Sequence, residues 1–190
     1  MQRRILLLSA ASALAALVGC GQEPASPAYP RANTPDERYL LASQGKGFVV
    51  GQALAANAVY VFFDPQCPHC ATLWKNAQPL LGRVRMTWIP VGLLNAASSS
   101  QGAFILGSAD PAAAMNEHEE LLAQKRGGIS VPLSGVDSKL KDIVSENTRI
   151  FNALGAESIP FIVYRNARTG QAGSQPGAMP TEALASLLGV

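Results

Sequence analysis

Two cysteines three positions apart, Cys67 and Cys70, with Pro68 and His69 between them, are the residues of this 190-residue chain best suited to chemistry. A Cys-x-x-Cys dithiol serves two common purposes, metal ligation and redox exchange. Structural zinc wants four ligands. Beyond the pair the chain offers only His69 and His118 and no second cysteine pair, and His69 lies between the thiols, pointing away from any chelate they form. A disulfide closing so small a loop does little to restrain the unfolded chain. Redox exchange suits the surroundings better. Cys67 falls where a run of strand formers hands over to a helix, so unpaired amide N–H groups and the helix dipole favour its thiolate. Cys70, one turn further in, is expected to be the more buried thiol and to attack a mixed disulfide formed on the exposed Cys67.

The elements that must hold this pair are legible on either side of it. Residues 58–63, Ala-Val-Tyr-Val-Phe-Phe, are apolar on both faces and read as a central strand covered on both sides. From Cys70 to Leu81, Leu73, Trp74, Ala77, Leu80 and Leu81 share one helical stripe, with Pro79 set to kink or end the helix and Gly82 to stop it. Residues 84–91 form the next strand, completing a β-α-β unit with parallel strands. From Ala96 to about Gly155 no strand stands out; helical periodicity runs over 98–106, 111–126 and 138–154. Residues 160–165 read as a further strand, 166–170 as a turn, 170–179 as room for only a short edge strand, and 180–188 as a closing amphipathic helix.

Upstream, Met-Gln-Arg-Arg followed by 14 apolar or small residues reads as a bacterial-type export signal, too short for the roughly 20 residues of a membrane-spanning helix. Leu17-Val18-Gly19-Cys20 resembles a lipobox, which implies a cleaved signal peptide over 1–19 and lipidation of Cys20, with Gly21 pointing to the outer membrane. Residues 21–34 hold three prolines and no apolar periodicity and read as a tether. Pro35 at a first helical position, with Asp36 and Glu37 in the first turn, begins a short lead-in helix, so 20–45 forms tether and helix and 46–190 the folded domain. The chain carries a formal charge of +2. Loss of Arg3 and Arg4 with the signal leaves it balanced, which gives nucleic acid no electrostatic footprint.

The approach Phe63-Asp64-Pro65-Gln66-Cys67-Pro68-His69-Cys70, a helix interrupted by proline, and Ser158-Ile159-Pro160-Phe161 opening a late strand together resemble a thioredoxin-like fold, an α/β architecture. The resemblance implies that the Ile159-Pro160 bond is cis and lies beside the sulfurs, where a substrate strand could pair. The 93 positions from Cys67 to Pro160 imply a helical insertion, at about 96–155, between the Cys-x-x-Cys helix and the cis-Pro strand. From about Val59 to Leu188 the chain resembles the DsbC/DsbG family of thiol:disulfide interchange proteins, above all its DsbG-type members. Leu73-Trp74, Gln78-Pro79, Val91-Gly92, Asp110-Pro111 and Asn152-Ala153-Leu154-Gly155-Ala156 carry that likeness.

Two features depart from the family pattern. Its separate dimerisation domain has no counterpart between Cys20 and Lys46, which implies a monomer. The Pro68-His69 dipeptide matches the oxidant DsbA where DsbG-type proteins have Pro-Tyr, and Ile159 stands where the isomerases usually have Thr. A histidinium beside Cys67 would stabilise its thiolate and raise the potential.

The resemblance therefore implies an envelope thiol:disulfide oxidoreductase without cofactor, facing the periplasm from a lipid anchor and acting on exported cysteine-containing proteins. Cys67 would be its nucleophile, Cys70 its resolving thiol, His69 and Pro68 tuning groups, and Ile159 and Pro160 the substrate-positioning pair. Two directions remain open: a DsbG-like reductase or isomerase served by a DsbD-like membrane partner, and a DsbA-like oxidase served by a DsbB-like one. A third reading is a copper-carrying lipoprotein using the same dithiol. Asp64 is a turn residue or a proton relay; Glu117, Glu119, Glu120 and His118 read as a solvated face, and Trp74 as core.

Overall fold

The computed structural model describes residues 29–55, 58–132 and 135–190; the expected signal peptide over 1–19, the expected lipidation site Cys20 and most of the expected tether lie outside the described residues. After α1 (Pro35–Ala42) come β1 (Phe48–Gly51) and β2 (Ala58–Phe63), then α2 (Pro68–Ala77) with a short 3-10 turn at Gln78–Leu80, and β3 (Arg85–Pro90). Three helices follow, α3 (Ala96–Gly107), α4 (Pro111–Ala123) and α5 (Ser138–Ala153). The chain ends with β4 (Phe161–Arg165), β5 (Ala172–Pro176) and α6 (Thr181–Leu188). Among the described residues no helix is long and apolar enough to cross a membrane.

The five strands form one sheet in the order β1-β3-β2-β4-β5. β2 and β3 run parallel, Val61 opposite Trp88, while β4 lies antiparallel on the other side of β2, Val61 opposite Ile162. Strand side chains alternate between faces, and the central strands are apolar at both parities, so the sheet carries a core on each side. Val61, Phe63, Trp88 and Ile162 join Leu73 and Trp74 of α2, Met115 of α4 and Leu184 of α6 on one face. Phe62, Ile89, Phe161 and Val163 meet Leu41 of α1 and Ile150, Phe151 and Leu154 of α5 on the other. Each fully buried side chain of this size contributes roughly 1.5–3 kcal/mol.

Two details differ from the sequence reading. β1 was not anticipated: it spans four residues and shows its buried-exposed alternation only at Phe48 and Val50, too short a run to stand out. The active-site helix begins at Pro68, not Cys70, because proline suits the first helical position, and Pro79 confines the α-helix to residues before it, leaving the 3-10 turn.

Candidate active site

Cys67 caps α2 in an extended conformation (φ −95°, ψ 114°), directly where β2 ends. The turn that presents it is pinned from below by Asp64, which is fully buried. Oδ1 of Asp64 accepts from the Gln66 amide (2.8 Å), and Oδ2 from the amides of Leu93 (2.7 Å) and Leu94 (3.0 Å) beyond β3. The Cys67 amide donates to the Asp64 carbonyl at 3.0 Å. Asp64 thus ties the ends of the two parallel strands together, as a turn residue does. Leu93 and Leu94 themselves remain exposed beside it.

The two thiols differ in environment. Cys70 is completely buried, and burial pushes its thiol far above the ordinary range, helped by the neighbouring Cys67. Cys67 receives a hydrogen bond from the Cys70 side chain and is faced by the Cys70 and His69 amides; these outweigh burial and, with a smaller contribution from the His69 charge, push it down to about 6 from 9.0. As a thiol, Cys67 Sγ approaches the Ile159 carbonyl oxygen at 3.8 Å, and the Ile159-Pro160 peptide is cis. Pro68, His69, Cys67, Cys70, Ile159 and Pro160 are therefore one constellation. Cys67 is less open than expected, with 4% of its surface accessible, whereas Pro68 and His69 are exposed. The reason is packing: Cys67 joins the core cluster against which Ile159 rests.

The helices between β3 and β4 add residues that the sequence reading did not assign to the site. Gln66, immediately before Cys67, donates from Nε2 to Gln101 Oε1 (2.6 Å) and to the Gly127 carbonyl (3.0 Å), and accepts from Asn95 at 3.1 Å. His118, expected on a solvated face, is fully buried. Its Nε2 bonds the Pro65 carbonyl at 2.8 Å and its Nδ1 accepts from the Ile129 amide at 3.1 Å, which defines a neutral ring protonated at Nε2. Burial, the largest influence, lowers its pKa. Gly128 makes room for it: at φ +81°, a Cβ there would stand 2.3 Å from His118 Cε1. Trp74 belongs to the core as expected, and its Nε1 donates to Asn116 Oδ1 of α4 at 2.8 Å. Glu119 also departs from the solvated face, both carboxyl oxygens being buried. The available signal was a stripe at helical spacing, Ala114, Met115, His118, Leu121, Leu122, on which a polar residue stands in a core position.

Among the described residues no group of three or more His, Cys, Asp or Glu side chains is arranged to hold a metal ion. What the arrangement can do is form and break disulfides: an acidic sulfur at a helix N-terminus, a shielded second sulfur within bonding reach, and backbone beside both.

No protein-family model matches the chain. It is 34% identical over 155 residues to the thiol:disulfide interchange protein DsbG of Pseudomonas aeruginosa, covering 80% of this chain and 59% of that protein. To DsbG of Escherichia coli it is 31% identical over 130 residues, covering 67% of this chain and 51% of that protein. The chain thus spans somewhat more than half the length of these relatives. A periplasmic thioredoxin-like protein from Salmonella enterica serovar Typhimurium superposes with a TM-score of 0.59 over 83% of this chain and 95% of that one, at 17% identity. Fold and site together define a thioredoxin-like domain of the thiol:disulfide interchange class. More particularly, the chain is similar to DsbG-type thiol:disulfide interchange proteins over 80% of its own length, and the copper-carrier alternative finds no support in these likenesses.

Proposed function

We propose that the protein is a thiol:disulfide oxidoreductase of the bacterial envelope, exchanging disulfides with exported cysteine-containing proteins. The observation that carries this reading is the opposed character of two adjacent sulfurs, Cys67 acidic at the helix N-terminus and Cys70 buried and held as a thiol. Cys67 is the nucleophile and Cys70 the resolving thiol. His69 and the Pro68 turn tune the pair, and Ile159 with Pro160 positions the client chain beside Cys67. A membrane partner, DsbD-like for reduction or DsbB-like for oxidation, restores the working state. Cys20 carries the lipid anchor that keeps the domain facing the periplasm.

The test is insulin reduction together with trapping. Cys67→Ser abolishes turnover, whereas Cys70→Ser accumulates long-lived mixed disulfides with clients. Stoichiometric metal uptake without turnover by the wild type would overturn the reading. Alkylation of the pair in living cells reads the direction, since a reductase is found reduced and an oxidase oxidised. Labelled palmitate should enter the wild type and not Cys20→Ser.

A further inference from the structure

Gln66 is joined by one peptide bond to the nucleophile, and every polar atom of its side chain is committed. Nε2 donates to Gln101 Oε1 of α3 at 2.6 Å and to the Gly127 carbonyl at 3.0 Å. Oε1 accepts from Asn95 Nδ2 at 3.1 Å. The amide can sit in only one sense. Backbone carbonyls accept and never donate, so Gln101, whose Nε2 serves the carbonyls of Gly127 (2.8 Å) and Ile129 (3.0 Å), must turn its oxygen to Gln66. Asn95 caps α3 by accepting the Ala97 amide on Oδ1 at 2.8 Å, which leaves its Nδ2 for Gln66. A flipped Gln66 amide would set oxygen against oxygen at both Gln101 and Gly127.

The same loop also reaches the residue before Gln66. His118, bonded to the Pro65 carbonyl, accepts from the Ile129 amide two positions beyond Gly127. Pro65 and Gln66, which lead into Cys67, are therefore both fastened to residues 127–129. Stability does not account for the grip on Gln66. The residue is half-buried, ordering its side chain costs rotamer freedom, and hydrogen bonds between neutral groups return little net free energy.

We propose that Gln66 is a positioning residue for the exchange reaction, the side chain through which α3 and the 127–129 loop fix where Cys67 Sγ stands relative to an incoming client disulfide. This deepens the exchange activity proposed above and rests on it. Attack requires the Cys67 thiolate to lie on the extension of the client S–S bond. The bond from Cys67 to one client sulfur forms as that bond breaks, and the displaced sulfur leaves with its electron pair as a thiolate. Only 4% of Cys67 is accessible and its Sγ stands 3.8 Å from the Ile159 carbonyl oxygen, so the corridor for this alignment is narrow. A displacement of about 1 Å in such geometry costs up to about a hundredfold in rate. Gln66 is not among the groups that lower the Cys67 pKa; its part is placement, not ionisation.

Gln66→Met keeps a similar volume and loses the three side-chain hydrogen bonds. The reduced protein is mixed in single turnover with a disulfide-bonded peptide at about pH 8, where Cys67 is ionised, and the rate is followed against peptide concentration. The limiting rate should fall about tenfold, within the factor that freeing one residue's backbone represents. The half-saturating concentration and the thiolate titration near 240 nm should not move. An unchanged limiting rate overturns the proposal, and if the half-saturating concentration rises instead, Gln66 is a client contact. A titration shift that accounts for the slower rate overturns it as well. A second variant approaches from the far end of the network. Gln101→Met should slow attack by itself and add little in the Gln66→Met background, whereas additive slowing refutes action through Gln66. Rates are taken per folded molecule, so a loss of stability alone leaves them unchanged. A wild type that does not reduce the peptide sinks the exchange activity; a wild type that does, with Gln66→Met equally fast, sinks only the role of Gln66.

Discussion

Cys70→Ala tests how the nucleophile is activated. The hydrogen bond from the Cys70 side chain is the largest influence lowering Cys67, ahead of the Cys70 and His69 amides and the His69 charge. The full displacement, from 9.0 to about 6, corresponds to about 4 kcal/mol of preference for the thiolate. A hydrogen bond to a charged group is worth roughly 1.5–3 kcal/mol, so removing this one should raise the Cys67 pKa by about one to two units. The rate consequence is smaller than the change in ionisation, because a more acidic thiolate is a weaker nucleophile. At pH 7 a thiol at about 6 is about nine-tenths ionised against about one-hundredth for a thiol at 9.0. With a Brønsted slope of about 0.4–0.5, the net advantage over an ordinary thiol is only roughly three- to sixfold. Absorbance of the thiolate near 240 nm against pH gives the titration directly, and iodoacetamide kinetics give the rate. Cys70→Ser, whose hydroxyl can still donate, should lie between wild type and Cys70→Ala. An unchanged or lower Cys67 pKa in Cys70→Ala would refute the assignment of the activation to Cys70.

The remaining predictions concern the supports of the site. His118 is held neutral with its pKa below the ordinary 6.5, so below about pH 6.5 the unfolded chain binds a proton that the folded one refuses. The protein should lose up to about 1.4 kcal/mol of stability per pH unit on that account, a slope that His118→Phe abolishes in urea titrations at successive pH values. At pH 7 the same variant should cost about 2–4 kcal/mol, because the Pro65 carbonyl and Ile129 amide lose their partner. Asp64→Asn replaces an acceptor of three backbone amides by a side chain with one acceptor oxygen, and should lower stability by about 2–3 kcal/mol in denaturant unfolding; a loss under about 0.5 kcal/mol would deny it that fastening role. Gly128→Ala, pressing on the His118 ring from a left-handed backbone, should cost more than about 1 kcal/mol by the same measure and reduce client turnover.

Much of the fold was legible because its signals are local. The run at 58–63 is apolar at both parities, and such a strand must lie between two layers; the periodicities at 111–126 and 138–154 mark helices whose observed bounds differ only at the ends. β1 was not legible, since Phe48 and Val50 acquire meaning only from pairing with β3, where Phe48 faces Trp88. The dithiol itself was legible from spacing alone. Its shielding was not, because the chain that covers Cys67 near Ile159 lies 92 positions away.

The amino-acid sequence by itself determined that two cysteines stand at a strand-to-helix junction, that Pro79 interrupts that helix, and that a long helical segment separates it from Ile159-Pro160. These are consequences of residue type at fixed chain spacing. Only the tertiary structure decided that His118 is a buried brace and Glu119 a carboxyl with both oxygens buried, and that Gln66 is gripped by Gln101 and Gly127. A polar residue on an amphipathic helix carries no mark of whether water or another element covers it. That choice belongs to the surface that folds against it, and here the covering surface includes the active-site turn itself.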